Sequence, residues 1–412
     1  MRQTISIIIP VHNADRTLEA AVLSAACQSI RRQRPEILLE LILVDDGSTD
    51  QSGRRCDSYA GWYAGPGLGG RSDEEPGFGS DPLADGKPGS SAAEGRPFGI
   101  LQIKVIHMED EGVSEARNRG MEAARGDFLT FLDADDAMEE SMLEQLLTLY
   151  EKSGAAICGC GFCSVAQEEA ADYAEKLLRA CRKEGENGSD AGEEPEASRE
   201  SQSPEKRRTA EATEAAAMLA GREIFRDGIL QGDTRVWSKL FSRELIGGVR
   251  FRKGLTIGED MLFVTELIRQ DTSYAYLADP LYRYTRNPQG AMERPFTVSY
   301  MDQMRCYEEA EKVIQERAPE LLQDGTARKR LRRLQIIADV LTASKMARLR
   351  RTEFLQYKEE FAVCRRALKE HMREPGIASV IPPDYRLKSF MLRYLPAGFC
   401  LMMKAAAAGK RR

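Results

Sequence analysis

The chain has 412 residues, with 59 Lys+Arg against 65 Asp+Glu, 42% hydrophobic residues and a formal net charge of −6. That length accommodates one or two domains once low-complexity stretches are set aside, and it excludes a small disulfide-stapled peptide. No stretch reaches the about eighteen consecutive apolar residues of a spanning helix, and the apolar run from Ile5 to Val11 ends in Pro10-Val11-His12-Asn13 without a small-residue cleavage site, so a cytoplasmic protein is expected.

In chain order, Ile5-Ser6-Ile7-Ile8-Ile9 reads as a strand, followed by a helix from Asp15 to about Ile30 with Leu18, Val22 and Ala25-Ala26 at helical spacing. Leu39 to Val44 is a second strand, and Ser48-Thr49-Asp50-Gln51 has the spacing of a capping box that opens a helix. From Gly61 to about Phe98 the sequence is rich in Gly, Pro, Ser and Asp, which predicts a mobile surface insertion. Ile103 to His107 is a third strand; Ser114 can cap a helix through Ala124, with Gly126 ending it. Phe128 to Leu132 is a fourth strand, stopping at Asp133-Ala134-Asp135-Asp136, and a helix from Glu139 to Lys152 and a strand around Ala156 to Gly159 follow. A second insertion, about 167–213, is rich in Glu, Lys, Ser and Ala; part of it can form a solvated helix.

Nine cysteines, an odd number spread through the chain, argue against a secreted disulfide framework. Cys158, Cys160 and Cys163 cluster, but His12, His107 and His371 lie far off in sequence, so the three are read as small residues of a buried strand instead of zinc ligands.

The repeated β-α-β-α order predicts an α/β fold, a mainly parallel Rossmann-like sheet flanked by helices, whose ligands sit at the carboxyl ends of the strands. Those ends carry Pro10-Val11-His12-Asn13, Asp45-Asp46-Gly47-Ser48 and Asp133-Ala134-Asp135-Asp136. Carboxylates spaced i, i+2 beyond a strand can hold Mg2+ or Mn2+ on a diphosphate, or they can cap the next helix, and spacing leaves both readings open for Asp133 and Asp135. Asp45 can accept from a base N–H or a ribose hydroxyl, or form an Asx turn. Glu259-Asp260, at the start of a helix reaching about Arg269, can serve the helix dipole or take a proton from an acceptor hydroxyl. Neither Gly-x-Gly-x-x-Gly after the first strand nor a P-loop is present, so phosphate would be gripped through a metal.

Six motifs carry a family resemblance. Ile5 to Asn13, Ile42 to Asp50, Gly112-Val113-Ser114-Glu115-Ala116-Arg117-Asn118-Arg119-Gly120, Phe131 to Asp136, Val236-Trp237-Ser238-Lys239-Leu240-Phe241 and Gly258-Glu259-Asp260 resemble, in order, family 2 glycosyltransferases of the GT-A fold. The resemblance implies a GT-A domain over 1–295, carrying the insertions at about 61–98 and 167–213, and a basic helical C-terminal region over 296–412. It implies inverting transfer of one sugar from a nucleotide-diphosphate sugar, commonly a UDP-sugar, to a hydroxyl of a glycan or lipid-linked acceptor, as in bacterial surface-polysaccharide synthesis. By that likeness Pro10, Val11, Asn13 and Asp45 line the nucleoside pocket, with Asp45 on the uracil and Arg117 near the base or phosphate. Asp133 would face ribose or sugar, and Asp135, with Asp133, would bind Mn2+ or Mg2+. Asp260 matches the family's base, with Glu259 beside it orienting acceptor or base. The chemistry is coherent, because a departing diphosphate needs a cation and attack from the opposite sugar face needs a separate base.

The chain also departs from the family. His12 stands where Tyr is usual, and Gly290-Ala291 falls where Gly-Ser is common. The Gln-x-x-Arg-Trp element of processive synthases is absent, which points to one sugar per encounter. Trp237 reads as core in preference to a sugar-stacking platform, Lys239 as structural or exposed, and Arg286 as a diphosphate contact or a solvated arginine.

Residues 301–412 hold 24 Lys+Arg against 14 Asp+Glu. Helical spacing from about Ser299 predicts a bundle. Its last stretch mixes Leu387, Phe390, Met391, Tyr394, Leu395, Phe399, Leu401 and Met402 with Arg386, Lys388, Arg393, Lys404 and Lys410-Arg411-Arg412, broken by Pro396. That mixture suits peripheral contact with anionic headgroups at the inner face of the cell membrane, or packing on the core. Nucleic acid is not an expected partner, since the body is acidic and no reader motif occurs. Two other functions stay in view: a degenerate sugar-nucleotide-binding protein, and a nucleotidyl or pyrophosphate-handling enzyme using the same carboxylates.

Overall fold

Strand β1 (Thr4–Val11) is apolar on both faces, and Ile5, Ile7, Ile8 and Ile9 are all fully buried, as expected of a strand inside a sheet covered on both sides. In the computed structural model it pairs in parallel with β2 (Leu38–Asp46) on one side and β5 (Phe128–Phe131) on the other; β2 in turn pairs in parallel with β4 (Leu101–Met108). The chain thus runs outward from β1 through β2 to β4, then restarts at β5, so the boundary between β1 and β5 is a topological switch point. Beyond β5 the sheet is mixed and not mainly parallel. There β9 (Lys239–Ser242) runs antiparallel to β5 and to β7 (Ile157–Val165), β10 (Ser273–Thr285) is parallel to β7, and β6 (Ala137–Met138) is antiparallel to β10. Two short strands, β3 (Tyr63–Ala64) on β4 and β8 (Ala217–Ala220) on β10, complete the ten.

Residues 3–60, 63–64, 101–187, 217–287, 290 and 294–409 are described. They form two compact units that interleave along the chain, without a single cut near residue 295. The first comprises residues up to 219 with 235–253 and 272–287; the second comprises 220–234, 254–271 and 288–412. Glu259 and Asp260 therefore belong to the second, helical unit.

In the first unit, helices Leu18–Ala26 and Met142–Ser153 join the strands around one apolar core that includes Leu18, Val22, Leu41, Leu43, Leu143, Leu146 and Tyr282. Helix Val113–Ala123 lies on β1 at a distance only glycine permits: a Cβ on Gly120 would stand 2.4 Å from Cγ2 of Ile8. Its N-cap is Gly112, and Ser114 is buried inside the first turn and does not cap it. The capping box at Ser48 is likewise not formed. The helix begins at Ser52, because Ser48 Oγ accepts from Asn13 N–H at 3.1 Å and Ser48 N–H is taken by Asp45. The strand expected around Ala156 to Gly159 extends to Val165, with Cys158 and Cys160 buried along it.

The insertion at about 61–98 falls outside the described residues apart from β3. The second insertion begins later than its composition indicates, because Gln167–Asn187 is a helix whose Tyr173 and Leu177 pack against Cys27. Its remainder from residue 188 lies outside the described residues.

The second unit is helical, built on Glu259–Leu267, Tyr300–Arg317, Gly325–Ala347, Lys358–His371, Pro383–Tyr394 and Pro396–Gly409. Ile257, Tyr300, Ile336, Val340, Phe361, Leu368, Leu392 and Phe399 belong to its own core. Among the described residues no helix is long and apolar enough to cross a membrane.

Candidate active site

Register brings the expected residues to one edge of the sheet. Val11 stands opposite Asp45 and Asp45 opposite His107, so the carboxyl ends of β1, β2 and β4 align, with β5 delivering Asp133 to Asp136 beside β1. Pro10 is half-buried and Val11 fully buried in the core, so at this edge Val11 offers its backbone and not its side chain. Asn13 adopts a left-handed φ of +51°, a region Asn tolerates. From there its side-chain oxygen accepts from Thr49 N–H at 2.8 Å, Thr49 Oγ1 at 3.1 Å and Asp50 N–H at 3.2 Å, tying the loop after β2 to the end of β1. His12 Nδ1 donates to the Asp46 carbonyl at 2.7 Å, so this exposed imidazole also braces the loop.

Asp45 is buried and gripped on both oxygens, by Ser48 N–H at 3.2 Å and by His107 Nδ1 at 2.9 Å. His107 Nε2 donates to Asp57 at 2.8 Å. Both ring nitrogens face carboxylates, and the Asp45 hydrogen bond, followed by that of Asp57, raises the imidazole pKa above its ordinary value. Asp46 turns the other way, accepting from the backbone N–H groups of Glu111 and Gly112 at 2.8 and 3.0 Å; burial nonetheless raises its pKa.

Arg117, buried on helix Val113–Ala123, donates to Asp133 at 2.9 Å and lies 5.3 Å from the Phe251 ring centre. Asp135 accepts from Asn287 Nδ2 at 2.9 Å, and its pKa is raised by burial and then by the charge of Asp133. Asp136 is structural. It is fully enclosed, accepts from Tyr282 OH and Thr285 N–H at 2.7 Å each, and burial pushes its carboxyl well above the ordinary range. None of the three caps the next helix, whose N-cap is Ser141; Asp136 is enclosed, while Asp133 and Asp135 stay partly open.

Trp237 is buried, stacked on Tyr282 at 4.4 Å and on Tyr284 at 5.6 Å, and so acts as core. Lys239 is buried too, donating to the Arg235 carbonyl at 2.8 Å, while Arg286 is exposed. Glu259 and Asp260 occupy the first turn of Glu259–Leu267 in the second unit, after Gly258 at φ +91°; Glu259 is buried and Asp260 partly so.

Two residues of the first site escape motif reading, His107 and Asn287. The only sequence cue to His107 is its place at the end of the strand neighbouring β2, and that to Asn287 is its place in the aromatic and basic segment from Leu281 to Met292. Among the described residues His12, Asp46 and Asp110 also bring ligand atoms within 4.8 Å of one another, but both Asp46 oxygens are already held by backbone N–H groups.

A sheet switching at β1/β5, with acidic groups clustered at that edge, has the architecture of the GT-A class. S. aureus TarS 1–349, solved in complex with UDP-GlcNAc, superposes with a TM-score of 0.52 at 15% identity, covering 99% of this chain and 92% of TarS, and supports the same fold. The model of glycosyl transferase family 2 matches residues 6–68 and 87–198 of the chain. The uncharacterized glycosyltransferase EpsJ of Bacillus subtilis (strain 168) is 24% identical over 298 residues, covering 71% of this chain and 64% of EpsJ. Glycosyltransferase GlyG of Streptococcus pneumoniae serotype 4 is 28% identical over 153 residues, covering 37% of this chain and 36% of GlyG. The chain thus corresponds to less than two thirds of these relatives' length.

Proposed function

We propose that the protein is an inverting glycosyltransferase that moves one sugar from a nucleotide-diphosphate sugar, a UDP-sugar before others, to a hydroxyl of a glycan or lipid-linked acceptor in surface-polysaccharide synthesis. The observation that carries the reading is the convergence of Asp45, Arg117, Asp133 and Asp135 at the switch-point edge. The fold shared with TarS, which binds UDP-GlcNAc, supports UDP as the nucleotide.

In this reading Asp45, oriented by His107 and Ser48, accepts from the uracil imide. Asp133 takes a ribose or sugar hydroxyl while Arg117 fixes its position. The donor set fits a hard divalent cation, because two carboxylates crowd together, and burial followed by the charge of Asp133 raises the pKa of Asp135. Asp135 with Asp133 would hold Mn2+ or Mg2+, which when bound neutralises charge on a departing nucleoside diphosphate. Asp260 would accept the acceptor hydroxyl proton, with Glu259 orienting it, so that the hydroxyl oxygen attacks the anomeric carbon as the diphosphate leaves. The acceptor would be met at the inner face of the cell membrane, through the basic C-terminal segment.

The test is Asp260→Asn assayed for both donor binding and transfer. Transfer should fall by at least about a hundredfold with UDP binding unchanged. Undiminished transfer would contradict the base assignment, and loss of UDP binding would place Asp260 in the donor pocket.

A further inference from the structure

The two C-terminal helices leave an apolar stripe uncovered. Leu387, Phe390, Tyr394, Leu395 and Leu401 are each more than half exposed, Leu401 at 72%. No other fifteen-residue stretch among the described residues exposes more than two large apolar side chains. The stripe is not a packing defect, because the same helices bury Ser389, Leu392, Phe399 and Met403 on their inner face. Leu387, Phe390 and Tyr394 follow the i, i+3, i+7 spacing of one helix face, with the Phe390 and Tyr394 rings 5.1 Å apart. This second apolar face has nothing of the chain's described residues upon it.

The charges beside it share one sign. Arg386 and Arg393 border one side of the stripe and Lys388 the other, with Lys404 further along the last helix. The single acid, Asp384, is paired with Lys388 at 3.1 Å. Lys410, Arg411 and Arg412 add three more cations at the chain end, whereas the first 300 residues are net acidic. An apolar stripe edged by Lys and Arg, with a Tyr and a Phe on it, matches a helix lying in the plane of a membrane interface. A two-fold interface pairing this stripe with the same stripe of a second copy would instead place like charges together around it.

We infer that the outer face of helices Pro383–Tyr394 and Pro396–Gly409 is a docking surface for an anionic lipid membrane, with Leu387, Phe390, Tyr394, Leu395 and Leu401 entering the acyl boundary and the flanking cations meeting the headgroups. This deepens the reading of a membrane-presented acceptor, and its physical basis does not depend on sugar transfer.

The full chain is floated with vesicles of mixed phosphatidylglycerol and phosphatidylcholine, with phosphatidylcholine alone, and at low and high salt. The wild type should float with the anionic vesicles at low salt and far less with the neutral ones. Phe390→Glu with Leu401→Glu should lower partitioning at least about tenfold, or about 1.4 kcal/mol. Arg393→Gln and Lys404→Gln should each cost about fivefold and weaken the salt dependence. Circular dichroism checks that each variant is folded, and Phe390→Ser with Leu401→Ser replaces the first pair if it is not. Absence of flotation by the wild type, or flotation indifferent to all these changes, overturns the inference. So does a wild-type dimer that these variants dissociate while no vesicles are bound, which would assign the stripe to a second copy. Calorimetric binding of UDP without lipid separates the two proposals: flotation with no UDP binding leaves this surface standing and removes the transferase reading.

Discussion

Asp45 shows how much of a site depends on residues distant in sequence. His107 lies 62 positions away, yet its Nδ1 holds one Asp45 oxygen while its Nε2 reaches Asp57. Its pKa is raised in the folded protein, so the stability this contact contributes is complete below the unfolded imidazole value, about 6.5, and is lost as pH rises through the higher folded value. His107→Gln should therefore lower the melting temperature more at pH 6 than at pH 9, and a difference constant across that range would contradict the pairing. The acidic motifs were legible because strand ends are where such folds place ligands. His107 and Asn287 were not, because strand order and register decide which side chains become neighbours, and neither is written in local spacing. Motif reading also failed to anticipate that Val11 is spent on the core and that the Asn13 oxygen is engaged by the loop after β2.

At the scale of elements, alternating apolar runs identified the strands of the first half, since each is short, buried and bounded by turn residues. The mixed half was less legible. In the thirteen-residue strand β10, pairing to β7 shifts register on either side of Pro280, where a residue lacking an N–H cannot continue the ladder. The fit of helix Val113–Ala123 on β1 offers a direct check. Gly120→Val would drive its side chain into Ile8 and should cost about 1–3 kcal/mol in urea unfolding; no loss would mean that the helix can stand away from β1. In the helical unit, Asp339 is buried against His371 Nδ1 at 2.8 Å, and burial pushes its carboxyl up to about 6. The stability carried by this group is complete below about 3.9 and declines as pH rises to its folded value. Asp339→Asn should match the wild type near pH 4 and exceed it at pH 7, by up to about 3 kcal/mol. A variant less stable at pH 7 would show that the charged pair is net stabilising.

For the whole molecule, composition separated an acidic body from a basic helical end, but it could not reveal that the chain passes between two units several times. Interleaving is a long-range property: Ile257 of 254–271 shares its core with Tyr300 and Met304, and Arg226 and Asp227 of 220–234 are bonded by Arg330, all partners that come much later in the chain. The proposed donor carboxylates and the proposed base consequently sit on different units, and donor binding can be measured apart from acceptor chemistry. The most direct test of the central claim is calorimetric titration of UDP, with and without Mn2+, into the wild type and Asp135→Asn. UDP binding that Mn2+ strengthens at least about tenfold in the wild type and leaves unchanged in Asp135→Asn is the expected result. No UDP binding by folded wild type, or identical Mn2+ dependence in the variant, would contradict the assignment of the switch-point edge as a metal-assisted nucleotide-sugar site.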